Sequence, residues 1–144
     1  MPVSASHPSC AEPRTVVDTP TRAARHGMHV AVLGSTGSIG TSTLDVIAAS
    51  EGRFTPWLLA ARKSVGALLE QARRFRPAWV VVVDPAVAGE IGAAALPSGT
   101  RLAVGSEALA ELVAEPVVDR VVSAIVGAAG LQSTWAALAA GKTV

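Results

Sequence analysis

Tyrosine is absent from the 144 residues, and other aromatic side chains are scarce, with 2 Phe and 3 Trp. Any mechanism that uses a phenol as its acid is therefore excluded, including short-chain dehydrogenase chemistry with its catalytic tyrosine. The core must be packed by Ala, Val and Leu. One cysteine, Cys10, permits no internal disulfide and makes no thiolate metal site alone, which fits a reducing compartment and predicts a cytoplasmic protein. Charge is also scarce: 16% of residues are charged, and 12 basic against 11 acidic side chains leave a formal net charge of +1. Such a balance gives no general electrostatic reason to bind nucleic acid, and none is expected as a partner. Residues 1–27 lack the apolar run of a signal peptide. Ser, Thr and Arg in that stretch resemble a transit peptide only faintly, because Glu12, Asp18 and several prolines oppose it. The segment reads as a disordered, flexible tail, with Met28 as an alternative start.

What is present is apolar: 50% of the residues are hydrophobic and mean hydropathy is +0.44. Disorder over the whole length is excluded, and the length suits one domain of roughly 100–150 residues. No residue from Val121 to Gly141 is charged, a run longer than the roughly 18 residues that would suggest a membrane span. It divides, however, into the β-branched block Val121 to Val126, then Gly127-Ala128-Ala129-Gly130, then an alanine-rich stretch from Leu131. Two glycines at the junction predict a strand, a turn and a helix, and no membrane partner.

The remaining pattern alternates. Met28 to Leu33 is a short apolar run ending at glycine, as expected of a strand buried on both faces. Ile39, Leu44, Val46 and Ile47 then recur at helical spacing over residues 38–50. Further strands are predicted at 57–61, 79–83, 101–104 and 117–126. Helices are predicted over 65–75, from Asp84-Pro85, over 106–114 and over 130–140, the last closed by Gly141 as C-cap. Lys142-Thr143-Val144 reads as the start of a sixth strand, so a fragment or truncated product is expected. The fold class is α/β, a Rossmann-like doubly wound parallel sheet over residues 28–144. Ligands of such sheets lie outside the C-terminal strand ends, here after strands one, two and five.

Strand one runs into Gly34-Ser35-Thr36-Gly37-Ser38-Ile39-Gly40, a variant of the dinucleotide fingerprint. Gly34 allows the tight turn, Gly37 close approach of a pyrophosphate, and Gly40 close packing of helix on strand. Free N–H groups at the helix start face the anion, with the hydroxyls of Ser35, Thr36 and Ser38 beside them. The plainer alternative is a turn that merely needs small residues. A P-loop is excluded because no Gly-Lys-Ser/Thr ending follows. Where NAD-preferring domains carry an acid, about 20 residues on, this chain has Arg62-Lys63-Ser64. Two cations and a hydroxyl suit a 2′-phosphate, and NADPH is the expected cofactor. A solvated loop whose charges serve solubility is the competing reading.

Other candidates are weaker. Cys10, His7 and His26 fall in the tail, and His29 starts strand one at the end opposite the expected site. Asp84 before Pro85 reads as a helix cap, and Glu107, Glu111 and Glu115 as a solvated helix face. No carboxylate pair is placed for a metal, and no catalytic residue is assigned.

Leu33 to Gly40 followed by Thr43-Leu44-Asp45-Val46-Ile47, with a second block from Ala124 to Leu131 and then Ala136 to Lys142, resembles the 1-deoxy-D-xylulose 5-phosphate reductoisomerase family. The resemblance covers about residues 28–144. It implies an oxidoreductase of non-mevalonate isoprenoid synthesis that rearranges a sugar phosphate and reduces the resulting aldehyde with NADPH. The product would be 2-C-methyl-D-erythritol 4-phosphate. Mg²⁺ or Mn²⁺ would assist in the full-length enzyme, a homodimer. By the same resemblance Thr36, Gly37, Ser38 and Ile39 contact NADPH, and Arg62, Lys63 and Ser64 occupy a Gly-Lys-Asn-like tripeptide in which only Lys63 matches. Arg62 there either obstructs the close approach a glycine allows or strengthens phosphate binding. Ser133 stands where the family usually has proline. The acidic metal ligands, an Asn-Lys-Glu motif and the substrate-phosphate residues belong after the point matching Val144, so cofactor binding without turnover is expected. The alternatives are part of another NADPH-linked aldehyde reductase and a noncatalytic nucleotide-binding module.

Overall fold

The computed structural model describes residues 27–92 and 95–144. Residues 1–26 of the predicted tail, with Cys10, His7 and His26, lie outside them. Five strands, β1 (Met28–Leu33), β2 (Phe54–Ala61), β3 (Trp79–Val82), β4 (Arg101–Val104) and β5 (Arg120–Ser123), alternate with helices α1 (Ser38–Ala48), α2 (Val65–Phe75), α3 (Pro85–Ala88), α4 (Ser106–Val113) and α5 (Leu131–Ala139). The strands form one sheet in the order β4-β3-β2-β1-β5, and every pair is parallel. The chain steps outward from β1 to β4, then returns to the far side of β1 to lay down β5. Sheets of this class bind ligands at such a reversal, outside the C-terminal strand ends.

Strand pleating explains why the runs are apolar without alternation. Successive side chains point to opposite faces, and both faces are covered. Val30, Val32, Leu59, Ala61, Val80 and Val82 pack with Leu44 and Ile47 of α1 and Leu68 and Ala72 of α2. Their neighbours Ala31, Leu33, Leu58, Ala60, Val81 and Val121 pack with Leu109 and Val113 of α4 and Ala137 of α5. The expected doubly wound architecture is therefore present. No helix among the described residues is long and apolar enough to cross a membrane.

Several predicted ends move. β2 begins at Phe54 rather than 57 and includes Pro56. The proline is tolerated because β2 pairs there with β1 alone, at Val30, just before a register shift, and joins β3 only from Leu58. β5 is much shorter than the predicted 117–126. Its last ladder bond runs from the Ala124 N–H to the Leu33 carbonyl, at 2.8 Å. The chain then turns through Gly127, at φ 77°, into a 3₁₀ turn at Ala128–Gly130, leaving Val126 95% exposed. β-branching made that segment look like buried strand; the turn takes it out of the sheet. Gly141 does close α5: at φ 74° it lets its own N–H reach the Leu138 carbonyl and that of Lys142 the Ala137 carbonyl, both at 2.9 Å. Beyond it Thr143 bridges to Arg120 in parallel, and the Val121 N–H donates to the Thr143 carbonyl at 2.8 Å. The strand predicted after Gly141 thus begins on the free edge of β5.

Candidate cofactor site

The glycine loop leaves β1 at the reversal in strand order. Gly34 takes φ 78°, where L side chains are rare, and a Cβ on it would lie 2.7 Å from the Ala124 carbonyl oxygen at the end of β5. The N–H groups of Gly34 and Ser35 both donate to the Ala60 carbonyl of β2, at 2.8 and 2.9 Å. The loop is therefore hydrogen-bonded to β2 and packed closely against the residue that follows β5. A Cβ on Gly40 would collide with the Gly34 carbonyl oxygen and with Ser35 Cα, so the first turn of α1 sits directly on the loop. Gly37 differs. Its φ of −78° suits any residue, and a Cβ there would meet only the Gly34 oxygen, at an ordinary 3.5 Å. Gly34 and Gly40 are demanded by the fold, whereas the open space at Gly37 is not.

Gly37 is the N-cap of α1 and supplies no side-chain cap bond. Its own N–H turns back to the Gly34 carbonyl at 3.1 Å, and the first helical bond runs from the Thr41 N–H to the Gly37 carbonyl at 2.8 Å. The N–H groups of Thr36, Ser38 and Ile39 have no backbone acceptor among the described residues. They lie on an exposed or half-buried stretch at the positive end of the helix dipole, the kind of place where negative charge is favoured. Ile39 is 63% exposed beside them.

One expected donor is corrected. The hydroxyl of Ser35 does not face a ligand: the residue is fully buried, and its Oγ donates to Gln71 Oε1 at 2.7 Å while Gln71 Nε2 donates back to the Ser35 carbonyl at 2.8 Å. Gln71 lies on the inner side of α2, and no local pattern tied it to a loop 36 residues away.

The second predicted cluster leaves the same sheet edge from the neighbouring strand. Arg62, Lys63 and Ser64 are all exposed. Ser64 precedes α2 without spending its hydroxyl on a cap. Lys63 Nζ lies 3.8 Å from Asp84 Oδ2, and Asp84 Oδ1 accepts the Ala86 N–H at 3.0 Å, the helix-cap role expected of it. Arg62 lines a cleft of about 400 Å³ with Asp84, Ser106, Ala128 and Gln132, where the loops after β2, β3, β4 and β5 converge. Ser106 and Gln132 were not singled out from the sequence. The signal available was position alone, since each follows a strand end on the edge that binds ligands.

His29 lies at the opposite edge, where its N–H donates to Asp119 Oδ2 at 2.8 Å. Glu107 and Glu111 are exposed along α4, whereas Glu115, expected on the same helix face, lies exposed in the bend just past its C-cap Ala114. Ser133 is buried near the start of α5, its Oγ donating to the Gly130 carbonyl at 3.1 Å. Among the described residues no three His, Cys, Asp or Glu side chains come together as a metal centre.

A family model for 1-deoxy-D-xylulose 5-phosphate reductoisomerase matches residues 30–144. The chain belongs to the 1-deoxy-D-xylulose 5-phosphate reductoisomerase family. The reductoisomerase of Nitrosospira multiformis is 48% identical over 120 residues, covering 81% of this chain and 30% of the relative. That of Laribacter hongkongensis is 46% identical over 115 residues, covering 80% and 30%. Among solved structures, the reductoisomerase from Zymomonas mobilis in complex with NADPH aligns with TM-score 0.74 and 37% identity, over 81% of this chain and 30% of that one. A reductoisomerase in complex with NADPH, fosmidomycin and magnesium aligns with TM-score 0.71 and 39% identity, over 80% and 28%. The chain thus spans about 30% of the length of the reductoisomerases it matches.

Proposed function

We propose that residues 28–144 are the NADPH-binding domain of a 1-deoxy-D-xylulose 5-phosphate reductoisomerase. Thr36, Gly37, Ser38 and Ile39 would hold the cofactor pyrophosphate, and Arg62, Lys63 and Ser64 its 2′-phosphate. The observation that carries this reading is the row of N–H groups at Thr36, Ser38 and Ile39 that have no backbone acceptor among the described residues, beside a glycine whose open space the fold does not require. Helix-start N–H groups with no intrahelical acceptor are available to a phosphate, which the helix dipole also favours. The neighbouring strand adds two cations and an uncapped hydroxyl, a set an acidic residue would spoil. Charge-assisted contacts of this kind are worth about 1.5–3 kcal/mol each.

NADPH when bound supplies the hydride for the aldehyde reduction of the family reaction. The residues present bind and orient it; the acids that would hold Mg²⁺ or Mn²⁺, and those for the sugar phosphate, belong to the part of the family polypeptide outside the matched segment. We read the full polypeptide as a cytoplasmic homodimer. For the 144-residue chain alone the reading is cofactor binding without turnover. Titration with NADPH and NADH, followed by an assay with 1-deoxy-D-xylulose 5-phosphate and Mg²⁺ or Mn²⁺, tests it. Preference for NADPH with no product is expected. Absence of binding would sink the cofactor role, and turnover by the isolated chain would sink the division of labour.

A further inference from the structure

The bond pair between Ser35 and Gln71 fixes more than a side chain. Gln71 Nε2 donates to the Ser35 carbonyl at 2.8 Å, and the Ser35 N–H is already held by the Ala60 carbonyl at 2.9 Å. The peptide linking Ser35 to Thr36 is planar and trans, so its N–H points opposite to its C=O. With the carbonyl drawn inward to α2, the Thr36 N–H is turned outward, and it has no backbone acceptor among the described residues. The reciprocal bond from Ser35 Oγ to Gln71 Oε1, at 2.7 Å, sets which end of the Gln71 amide faces the loop. Ser35 is completely buried, so water cannot substitute for the missing partner without an opening of the loop.

We propose that Gln71 is a positioning residue that aims the Thr36 N–H at the cofactor pyrophosphate. It touches no ligand and acts only through the orientation of one peptide group. The proposal rests on the cofactor reading above, and makes a demand that reading does not: the effect of Gln71 must be confined to the part of the ligand that NADPH and NADH share.

The test titrates the purified chain and its Gln71→Leu variant with NADPH, NADH and adenosine 2′-monophosphate, which carries the 2′-phosphate but no pyrophosphate. In a variant that remains folded by circular dichroism, both dinucleotides weaken together by about tenfold or more, and adenosine 2′-monophosphate binds as before. Dinucleotide affinity within twofold of the parent overturns the proposal. Equal weakening of all three ligands also overturns it, since that is general loosening of the fold. If Gln71→Leu does not fold, Gln71→Glu decides: the carboxylate still accepts from Ser35 Oγ but cannot donate to the Ser35 carbonyl, and the same selective loss is expected. A parent chain that binds no dinucleotide overturns the cofactor reading and this proposal together. A binding parent with an unaffected variant overturns the positioning role alone.

Discussion

Lys63 Nζ sits 3.8 Å from Asp84 Oδ2, while the other oxygen of the same carboxylate caps α3 through the Ala86 N–H at 3.0 Å. One acid thus serves two loops that leave the sheet from adjacent strands. The lysine is 66% exposed on its side chain and the aspartate 23%, so the pair is worth about 0.2–1 kcal/mol. In the cofactor reading Asp84 competes with the 2′-phosphate for Lys63.

Asp84→Asn separates the two roles of that residue. Asn caps helices as well as Asp does, so thermal stability should stay within a few degrees. Release of Lys63 is expected to tighten NADPH by up to about fivefold, the equivalent of an exposed pair, with NADH moving less. Fluorescence titration of both cofactors checks it, and weaker NADPH binding would count against Lys63 as a phosphate ligand.

Arg62→Ala addresses the departure from the family tripeptide. Loss of one charge-assisted bond of about 1.5–3 kcal/mol should weaken NADPH roughly 10- to 150-fold and leave NADH nearly unchanged. Equal losses for both would assign Arg62 no part in the 2′-phosphate subsite. Tighter NADPH binding would show that the side chain obstructs the loop.

Two of the loop glycines, Gly40 and Gly37, should respond differently to a single methyl group. Gly40→Ala forces a Cβ into the Gly34 carbonyl and Ser35 Cα, an overpacking expected to cost about 1–3 kcal/mol or more in urea denaturation. Gly37→Ala meets nothing closer than 3.5 Å at a permissive φ, and its cost should stay at about 1 kcal/mol or less, the amount by which Ala is the poorer N-cap. NADPH affinity should nevertheless fall in Gly37→Ala. A stable variant with unchanged affinity would mean that the ligand does not approach there.

The end of β5 is open to the same kind of comparison. Val121 is 3% exposed and Val126 95%. Val121→Ala should cost about 1.5–3 kcal/mol from lost burial and a cavity, and Val126→Ala less than about 0.5 kcal/mol. Comparable losses at both would restore the longer buried strand that β-branching suggests.

Local signals carried much of the fold. β1 and β4 have the expected bounds, α2 stops before Pro77, Asp84 caps α3 and Gly141 closes α5. In each case the deciding physics lies within a few residues: a missing N–H, a left-handed φ, or a side-chain oxygen within reach of the next turn. The glycine turn was legible for the same reason, because strand, turn and helix start are contiguous in the chain. Ser35 was misjudged because a serine in a glycine-rich loop looks available until its neighbour in space is known. β5 was overextended because a valine run states a preference for extended backbone, but not where the sheet ends.

By itself the sequence determined the parallel α/β class, the glycine turn and the basic loop after strand two, since these follow from periodicity, turn chemistry and charge along short stretches. Only the tertiary structure decided the strand order β4-β3-β2-β1-β5, the sharing of Asp84 between a cap and Lys63, and the clamp of Gln71 on Ser35. Those depend on groups far apart in the chain meeting at bonding distance. Such meetings are set by the joint packing of both sheet faces, which no short window of residues contains.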